Sequence, residues 1–290
     1  MKSLWRKRKE VAKLIRLDKQ YGTLLLLLPT LWSLWIASEG RPTLKHLIVF
    51  TLGAFLMRSA GCVMNDMADR AFDARVERTR ERPLARQTLT LNEARGVLLI
   101  LLALSFPLAL TLNRLTIFLS FGALLVAFLY PFAKRVTHLP QIVLGIAFSW
   151  GVLMAWSAVR NEITFAPFLL VAANLFWGAG YDTVYALMDR EDDLRIGVKS
   201  TAVLFGPQSW LAVSLFYMLV LFFLTLVGER MERGIFYSLG LLGAAGLFLS
   251  QIIQLRRTPD KTVLFSLFRS HVWIGLIVFI GIVLDYYLES

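Results

Sequence analysis

A single cysteine, Cys62, stands in 290 residues, and it lies inside an apolar run. That excludes a disulfide framework and a thiol-ligated metal centre; a lone cysteine in such a setting is a small hydrophobe. Histidine is almost as scarce. His46, His138 and His271 fall at separate span ends without a partner at metal-ligand spacing, and each reads as an interfacial residue. There is no Gly-rich phosphate loop, no Gly-x-Ser-x-Gly elbow and no His-Glu-x-x-His, so P-loop, serine-hydrolase and zinc-protease chemistry have no foothold. No low-complexity tract, linker or soluble module interrupts the chain, which reads as one domain over 1–290. Acidic residues are in deficit, 20 against 31 Lys and Arg, for a net charge of +11. In a soluble protein that excess would suggest nucleic acid. Here it reads as loop charge and affinity for anionic headgroups, with no nucleic acid and no obligate protein partner expected.

Apolar and aromatic residues make up 57% of the chain, and the mean hydropathy is +0.62. The expected class is therefore all-α, a polytopic membrane protein. A crossing helix needs about 20 mostly apolar residues. That rule places nine transmembrane helices near 20–38, 44–66, 91–111, 114–132, 140–159, 163–188, 209–228, 234–255 and 270–288. Pro29, Pro107 and Pro167 fall within them, where neighbouring helices tolerate a kink. The N-terminus is basic, but no small-residue cleavage site follows its apolar run, so the run reads as a retained span. One side of the membrane carries 24 Lys and Arg and the other six; the bias puts the N-terminus in the cytoplasm.

Against this background two acidic stretches stand out. Asn65, Asp66, Asp69 and Asp73 end the second span, and at about 100° per residue they share roughly a 100° arc. Asp182, Asp189 and Asp193 end the sixth; on one continuous helix they would lie within about 40° of each other, with Glu191 opposite and Asp192 marginal. Both stretches fall on the cytoplasmic side of the count, each followed by a basic loop, Arg75–Gln87 and Arg190–Gly206. Ionised side chains at membrane depth are costly and mark function. Six crowded carboxylates would repel one another or take up protons unless a cation intervened. Mg2+ suits them, since it takes oxygen ligands and is usually held by one or two carboxylates plus substrate phosphates.

Two such faces suggest two ions gripping a diphosphate, which also calls for cationic donors. Lys134 and Arg135, after Tyr130-Pro131, are the first candidates, followed by Arg70, Arg16 and Lys199. Arg58 lies on the acidic face two turns deeper, and could pair with an aspartate or line a cavity floor. Trp177 and Tyr185 flank the second face, where an aromatic ring could stabilise a carbocation.

These residues resemble the UbiA superfamily of intramembrane aromatic prenyltransferases. The likeness rests on Asn65-Asp66-x-x-Asp69-x-x-x-Asp73 and Asp189-x-x-x-Asp193. It extends to Arg16-Leu-Asp-Lys19, Arg78-Thr79, Arg82-Pro83-Leu84 and Tyr130-Pro131 with Lys134-Arg135, and to Gly180-Tyr181-Asp182-Thr183-x-Tyr185-Ala186 and Lys199-Ser200-Thr201. The last stretch and Leu24–Trp35 are similar to the bacterial branch that prenylates 4-hydroxybenzoate for ubiquinone. The resemblance implies nine helices around a central cavity open to membrane lipids, in the bacterial inner membrane, with the active site toward the cytoplasm. It implies Mg2+ held by Asn65, Asp69 and Asp73 and by Asp189 and Asp193, gripping polyprenyl diphosphate while Arg135 and Lys134 neutralise it. Asp66 and Asp182 would be direct or supporting ligands, and Arg16 or Arg58 would take the carboxylate of 4-hydroxybenzoate.

Two other readings compete. Another branch, with a menaquinone, haem O or tocopherol-type acceptor, shares the acidic motifs. A cation transporter would instead spread its carboxylates through the membrane depth.

Overall fold

The computed structural model describes residues 6–257 and 259–288, and among these there are helices and turns but no strand. The long helices are α1 (Tyr21–Ala37), α2 (Leu44–Asp73), α3 (Leu91–Leu110), α4 (Arg114–Leu129), α5 (Pro140–Arg160), α6 (Ala166–Ala186), α7 (Ser209–Arg230), α8 (Ile235–Leu255) and α9 (Lys261–Leu288). Among the described residues, seven helical segments are long and apolar enough to cross a bilayer. The exceptions are α1, an apolar helix of 17 residues, and α6, whose apolar run is diluted by Asn174, Asp182 and two glycines. The chain is an integral, multi-pass membrane protein.

Side chains of the flanking residues set the helix starts. Thr43 accepts from the His46 N–H at the head of α2. Thr90 and Glu93 form a reciprocal capping box on α3, and Asn113 caps α4 while donating to the Ser157 carbonyl of α5 at 2.6 Å. Such caps satisfy N–H groups that a helix start leaves open. Pro29 and Pro107 lie inside helices as expected. Pro167 does not: α6 begins at Ala166, so this proline occupies the first turn, where its missing N–H costs nothing.

The most enclosed helix is α6, packed along α5 and α7. Its crossing with α5 is a glycine contact. A Cβ at Gly145 would sit 2.5 Å from the Leu175 carbonyl oxygen, and one at Gly178 would sit 3.1 Å from the Gly145 Cα. Small residues let two backbones approach in this way. On α6, Trp177 stacks on Trp32 of α1 at 5.2 Å and meets Tyr181 edge-on at 5.7 Å. By contrast α3 and α4 turn Leu104, Leu110, Phe118 and Phe128 outward, as lipid-facing helices do.

Three boundaries differ from the sequence expectation, and each moves chemistry. The second span does not stop at 66: α2 runs unbroken to Asp73. At about 1.5 Å per residue its 30 residues cover roughly 45 Å, more than the roughly 30 Å hydrocarbon core, so its acidic last turns can overrun that core. The last span starts at Lys261 rather than 270, which puts His271 in the interior instead of at an interface. His271 is fully buried; Trp177 Nε1 donates to its Nδ1 at 3.1 Å, and Tyr217 Oη lies 3.0 Å from its Nε2. Finally, the second acidic stretch is not one helix. A 3-10 turn, Leu187–Asp189, follows α6, and a short helix, Arg190–Ile196, follows that. It is closed by Gly197 at φ 73°, a left-handed value that glycine adopts without strain.

Candidate active site

The end of α2 presents three buried carboxylates, and each is met by a cation. Arg16 holds Asp66 through both oxygens, at 2.7 and 2.9 Å. Arg82 reaches Asp66 at 3.0 Å and both oxygens of Asp73 at 3.0 and 3.1 Å. Lys134 lies 2.5 Å from Asp69 Oδ2, whereas Asp69 Oδ1 is buried with no partner. Arg16 sits at φ 58°, a left-handed value uncommon outside glycine, and its Nη1 also donates to the Lys13 and Leu14 carbonyls. Arg82 arrives on a loop anchored by Leu84 and Leu89, which pack on Leu14, Ala60 and Val63, and by Thr79, whose hydroxyl donates to the Asp73 carbonyl at 3.0 Å. Burial weakens the Arg82 charge, but Asp66 and Asp73 outweigh this and its pKa is raised.

The second acidic stretch has one principal counter-charge. Arg78 grips Asp189 through Nε and Nη2, touches the Tyr185 hydroxyl with Nη1, and lies over the Tyr185 ring at 4.4 Å. Burial pushes the Asp193 carboxyl up to about 6, helped by the charge of Asp189 and opposed by a hydrogen bond with Ser200. The Glu77 N–H donates to Asp192 at 3.2 Å, tying the loop after α2 to the second stretch. Glu191 is exposed. Its exposure agrees with the helical-face argument, although the face is made by a turn and a new helix rather than by one helix.

Between the two stretches lie two cavities that share a wall. The larger, about 1420 Å³, is mostly apolar and holds Arg16, Arg58 and Asp66 at its polar end. The smaller, about 160 Å³, is lined by Lys134, Gln141, Asp189, Asp193, Lys199 and Ser200. Asn65, Arg78, Arg82, Tyr130, Asp182 and Tyr185 line both. Asp69 and Asp73 line neither cavity and are paired with Lys134 and Arg82. Arg58 crosses the face of Gly22, where a Cβ would come within 2.5 Å of its Nη2.

Three expected residues are not brought in. Trp177 is fully buried against Trp32 and Tyr181 and lines neither cavity. Arg70 is exposed and lines neither cavity. Arg135 is exposed as well; its Nη2 donates to the Ala68 carbonyl at 2.6 Å, and its guanidinium lies over Phe72 and Phe132. Arg78, Arg82, Tyr130 and Gln141 were missed as site residues. The arginines were given no role of their own, although Arg78-Thr79 and Arg82-Pro83-Leu84 carry part of the resemblance.

The donor set suits a hard divalent cation. It is all oxygen, and the unpartnered Asp69 Oδ1 has the chemistry of a waiting ligand. Among the described residues no three carboxylates, histidines or cysteines converge as a finished metal site. That is compatible with Mg2+ completed by substrate phosphates.

The profile of a family described as UbiA prenyltransferase family matches residues 26–275. The 4-hydroxybenzoate octaprenyltransferase of Pseudomonas aeruginosa (strain UCBPP-PA14) is 50% identical over 280 residues, 97% of this chain and 94% of that protein. The apo structure of a UbiA homologue from Aeropyrum pernix K1 superposes with a TM-score of 0.79 at 26% identity, covering 90% of this chain and 97% of that one. A UbiA homologue from Archaeoglobus fulgidus, solved with GPP and Mg2+, is similar in fold, with a TM-score of 0.68 at 17% identity over 94% of this chain and 99% of that one.

Proposed function

We propose, for a chain that belongs to the UbiA prenyltransferase family, that its two cavities hold the two parts of a polyprenyl diphosphate while 4-hydroxybenzoate takes up the prenyl group. The shared wall carries this reading: six residues line both an apolar cavity of about 1420 Å³ and a charged pocket of about 160 Å³. A long isoprenoid gains about 0.8 kcal/mol per CH₂ removed from water, and a diphosphate needs dense positive charge. The similarity to 4-hydroxybenzoate octaprenyltransferases supports the acceptor and the place in ubiquinone synthesis. The whole chain would act as one transmembrane domain, with nine crossings. The 24-to-6 charge bias supports an active site facing the cytoplasm, in the inner membrane of a bacterium.

Magnesium would be held by Asn65, Asp69, Asp73, Asp189 and Asp193, where it would offset the charge developing on the leaving diphosphate. The residues do the rest by exchanging partners. Without substrate, Lys134 and Arg78 neutralise Asp69 and Asp189; with it, those cations turn to phosphate oxygens and Lys199 joins them. Charge on the departing diphosphate is thus met by donors already in place. The allylic carbon, freed at the shared wall, is attacked by the ring carbon ortho to the hydroxyl, where the phenol oxygen feeds electron density. Arg58 holds the acceptor carboxylate in preference to Arg16, whose donors are occupied by Asp66, Lys13 and Leu14. The Tyr185 ring, stacked with Arg78, faces the reacting carbon.

The test is purified protein or membranes given labelled 4-hydroxybenzoate, polyprenyl diphosphate and Mg2+. The expected product is ring-prenylated acid, abolished by EDTA and restored by excess Mg2+. Folded protein that ignores this acid but prenylates a naphthoate would move it to another branch of the family.

A further inference from the structure

Asp182 is the motif carboxylate that the ion-pair network leaves alone. Asp66, Asp69, Asp73 and Asp189 each hold a cation, and Asp193 is bonded to Ser200. Asp182 makes no hydrogen bond or salt bridge among the described residues; Arg78 and Arg58 act on it only through their fields. It nevertheless stands on a rigid base. It lies one helical turn beyond Gly178, whose backbone is pressed against Gly145 of α5. Its neighbour Thr183 is fully buried and bonded to Thr201 and the Ala179 carbonyl. The carboxylate faces both cavities from the wall they share.

That position coincides with the chemistry under the prenyl-transfer reading, on which this inference rests. With diphosphate on one side of the wall and isoprenoid on the other, the bond that breaks crosses it. The ring carbon that forms the new bond, and the hydrogen it must then lose, lie there too. Of the groups on the shared wall, Arg78 and Arg82 are cations, Asn65 is a neutral amide, Tyr130 is a phenol protonated at neutral pH, and the Tyr185 hydroxyl is engaged by Arg78. Asp182 is the remaining proton acceptor.

We infer that Asp182 is the catalytic base that removes the ring proton. The allylic C–O bond breaks with its electron pair leaving on diphosphate, and a ring π pair forms the C–C bond, giving an arenium ion. The C–H bond ortho to the hydroxyl then breaks. Its electron pair restores the aromatic ring, the proton passes to a carboxylate oxygen of Asp182, and it leaves with the released diphosphate.

The experiment compares wild type with Asp182→Asn and Asp182→Glu, using polyprenyl diphosphate, Mg2+ and 4-hydroxybenzoate carrying hydrogen or deuterium at both ortho positions. In wild type, C–O cleavage limits the rate and the isotope ratio on kcat is near unity. In Asp182→Asn, kcat falls about 10²–10⁴-fold and a normal isotope effect appears, while the KM for the donor and the Mg2+ dependence hold. Asp182→Glu is intermediate in both respects. Wild-type turnover in Asp182→Asn overturns the assignment in favour of diphosphate as its own base. A fall in kcat without an isotope effect, with a raised donor KM, overturns it in favour of a place in the diphosphate clamp. If Asp182→Asn is not recovered folded, Asp182→Glu decides: a ratio equal to wild type refutes the base. Failure of wild type to prenylate the acid is read in its own arm and refutes the prenyl-transfer reading instead.

Discussion

The two acidic stretches share a composition but not a construction. The first is the end of one unbroken helix, its three aspartates buried and met by Arg16, Arg82 and Lys134, which come from three other segments of the chain. The second is spread over a helix, a 3-10 turn and a short helix, and Arg78 is its principal cation. Buried carboxylates are tolerable only when fully paired, so the first stretch needs its cations in order to fold. The second is wetter and depends on them less. One side of the clamp is architecture; the other is closer to a moving part.

The sharpest way to break this contrast is to remove one cation from each side. Arg82→Met leaves Asp66 and Asp73 without their shared partner and is expected to cost about 3–5 kcal/mol, the usual cost of stranding a buried charge. Arg78→Met strands the more exposed Asp189 and is expected to cost no more than about 1 kcal/mol. Thermal unfolding in detergent measures both. Equal losses would mean that the second stretch is as structural as the first.

Turnover should respond differently, because both sides face the same substrate. Asp69→Ala and Asp189→Ala are each expected to lower kcat by about 10²–10³-fold, the cost of losing one element of transition-state charge stabilisation. Both should be expressed and folded when checked by size exclusion and heat. If either keeps full activity, the two stretches are not halves of one clamp.

How far the sequence discloses this site follows from the same contrast. Helical periodicity placed Asn65, Asp66, Asp69 and Asp73 on one face because α2 is one helix, and there the geometry is local. For Asp182, Asp189 and Asp193 the grouping holds but its reason does not. The break after Ala186 is accompanied by tertiary bonds, Thr183 to Thr201 and the Thr201 N–H to Gln141, and no periodicity reports it. His271 was misplaced because the polar start of α9, with Lys261 and Arg269, looks like loop. Cations were the least legible. Hydropathy and the positive-inside rule explain every arginine equally well, so neither rule separates Arg78 and Arg82, which line the cavities, from Arg70 and Arg135, which do not.

A smaller effect tests the exchange of partners. Since Lys134 and Arg78 occupy Asp69 and Asp189 before substrate arrives, a divalent ion has to displace a cation that then needs an anion. Metal and diphosphate are therefore expected to strengthen each other's binding by about 1–3 kcal/mol, a typical coupling between linked sites. Mn2+ titration with and without inorganic diphosphate measures it. Lys134→Met should bind Mn2+ more tightly alone and show less coupling, and Arg78→Met should show the same in weaker form. Coupling unchanged in both variants would mean that the ion pairs are bystanders.

The smallest expected effect is the most discriminating for the second stretch. Glu191 sits two residues from both Asp189 and Asp193, in the same acidic run, and proximity in sequence alone would make it a ligand. The structure turns it outward, exposed on the short helix Arg190–Ile196, whereas Asp193 is buried on the pocket wall. Glu191→Ala is therefore expected to change kcat, KM and Mg2+ dependence little, and stability by less than about 0.5 kcal/mol, as for an ordinary surface substitution. A loss comparable to that of Asp189→Ala would require the short helix to rotate when substrate binds. The second stretch would then be rebuilt around the diphosphate rather than merely closed on it.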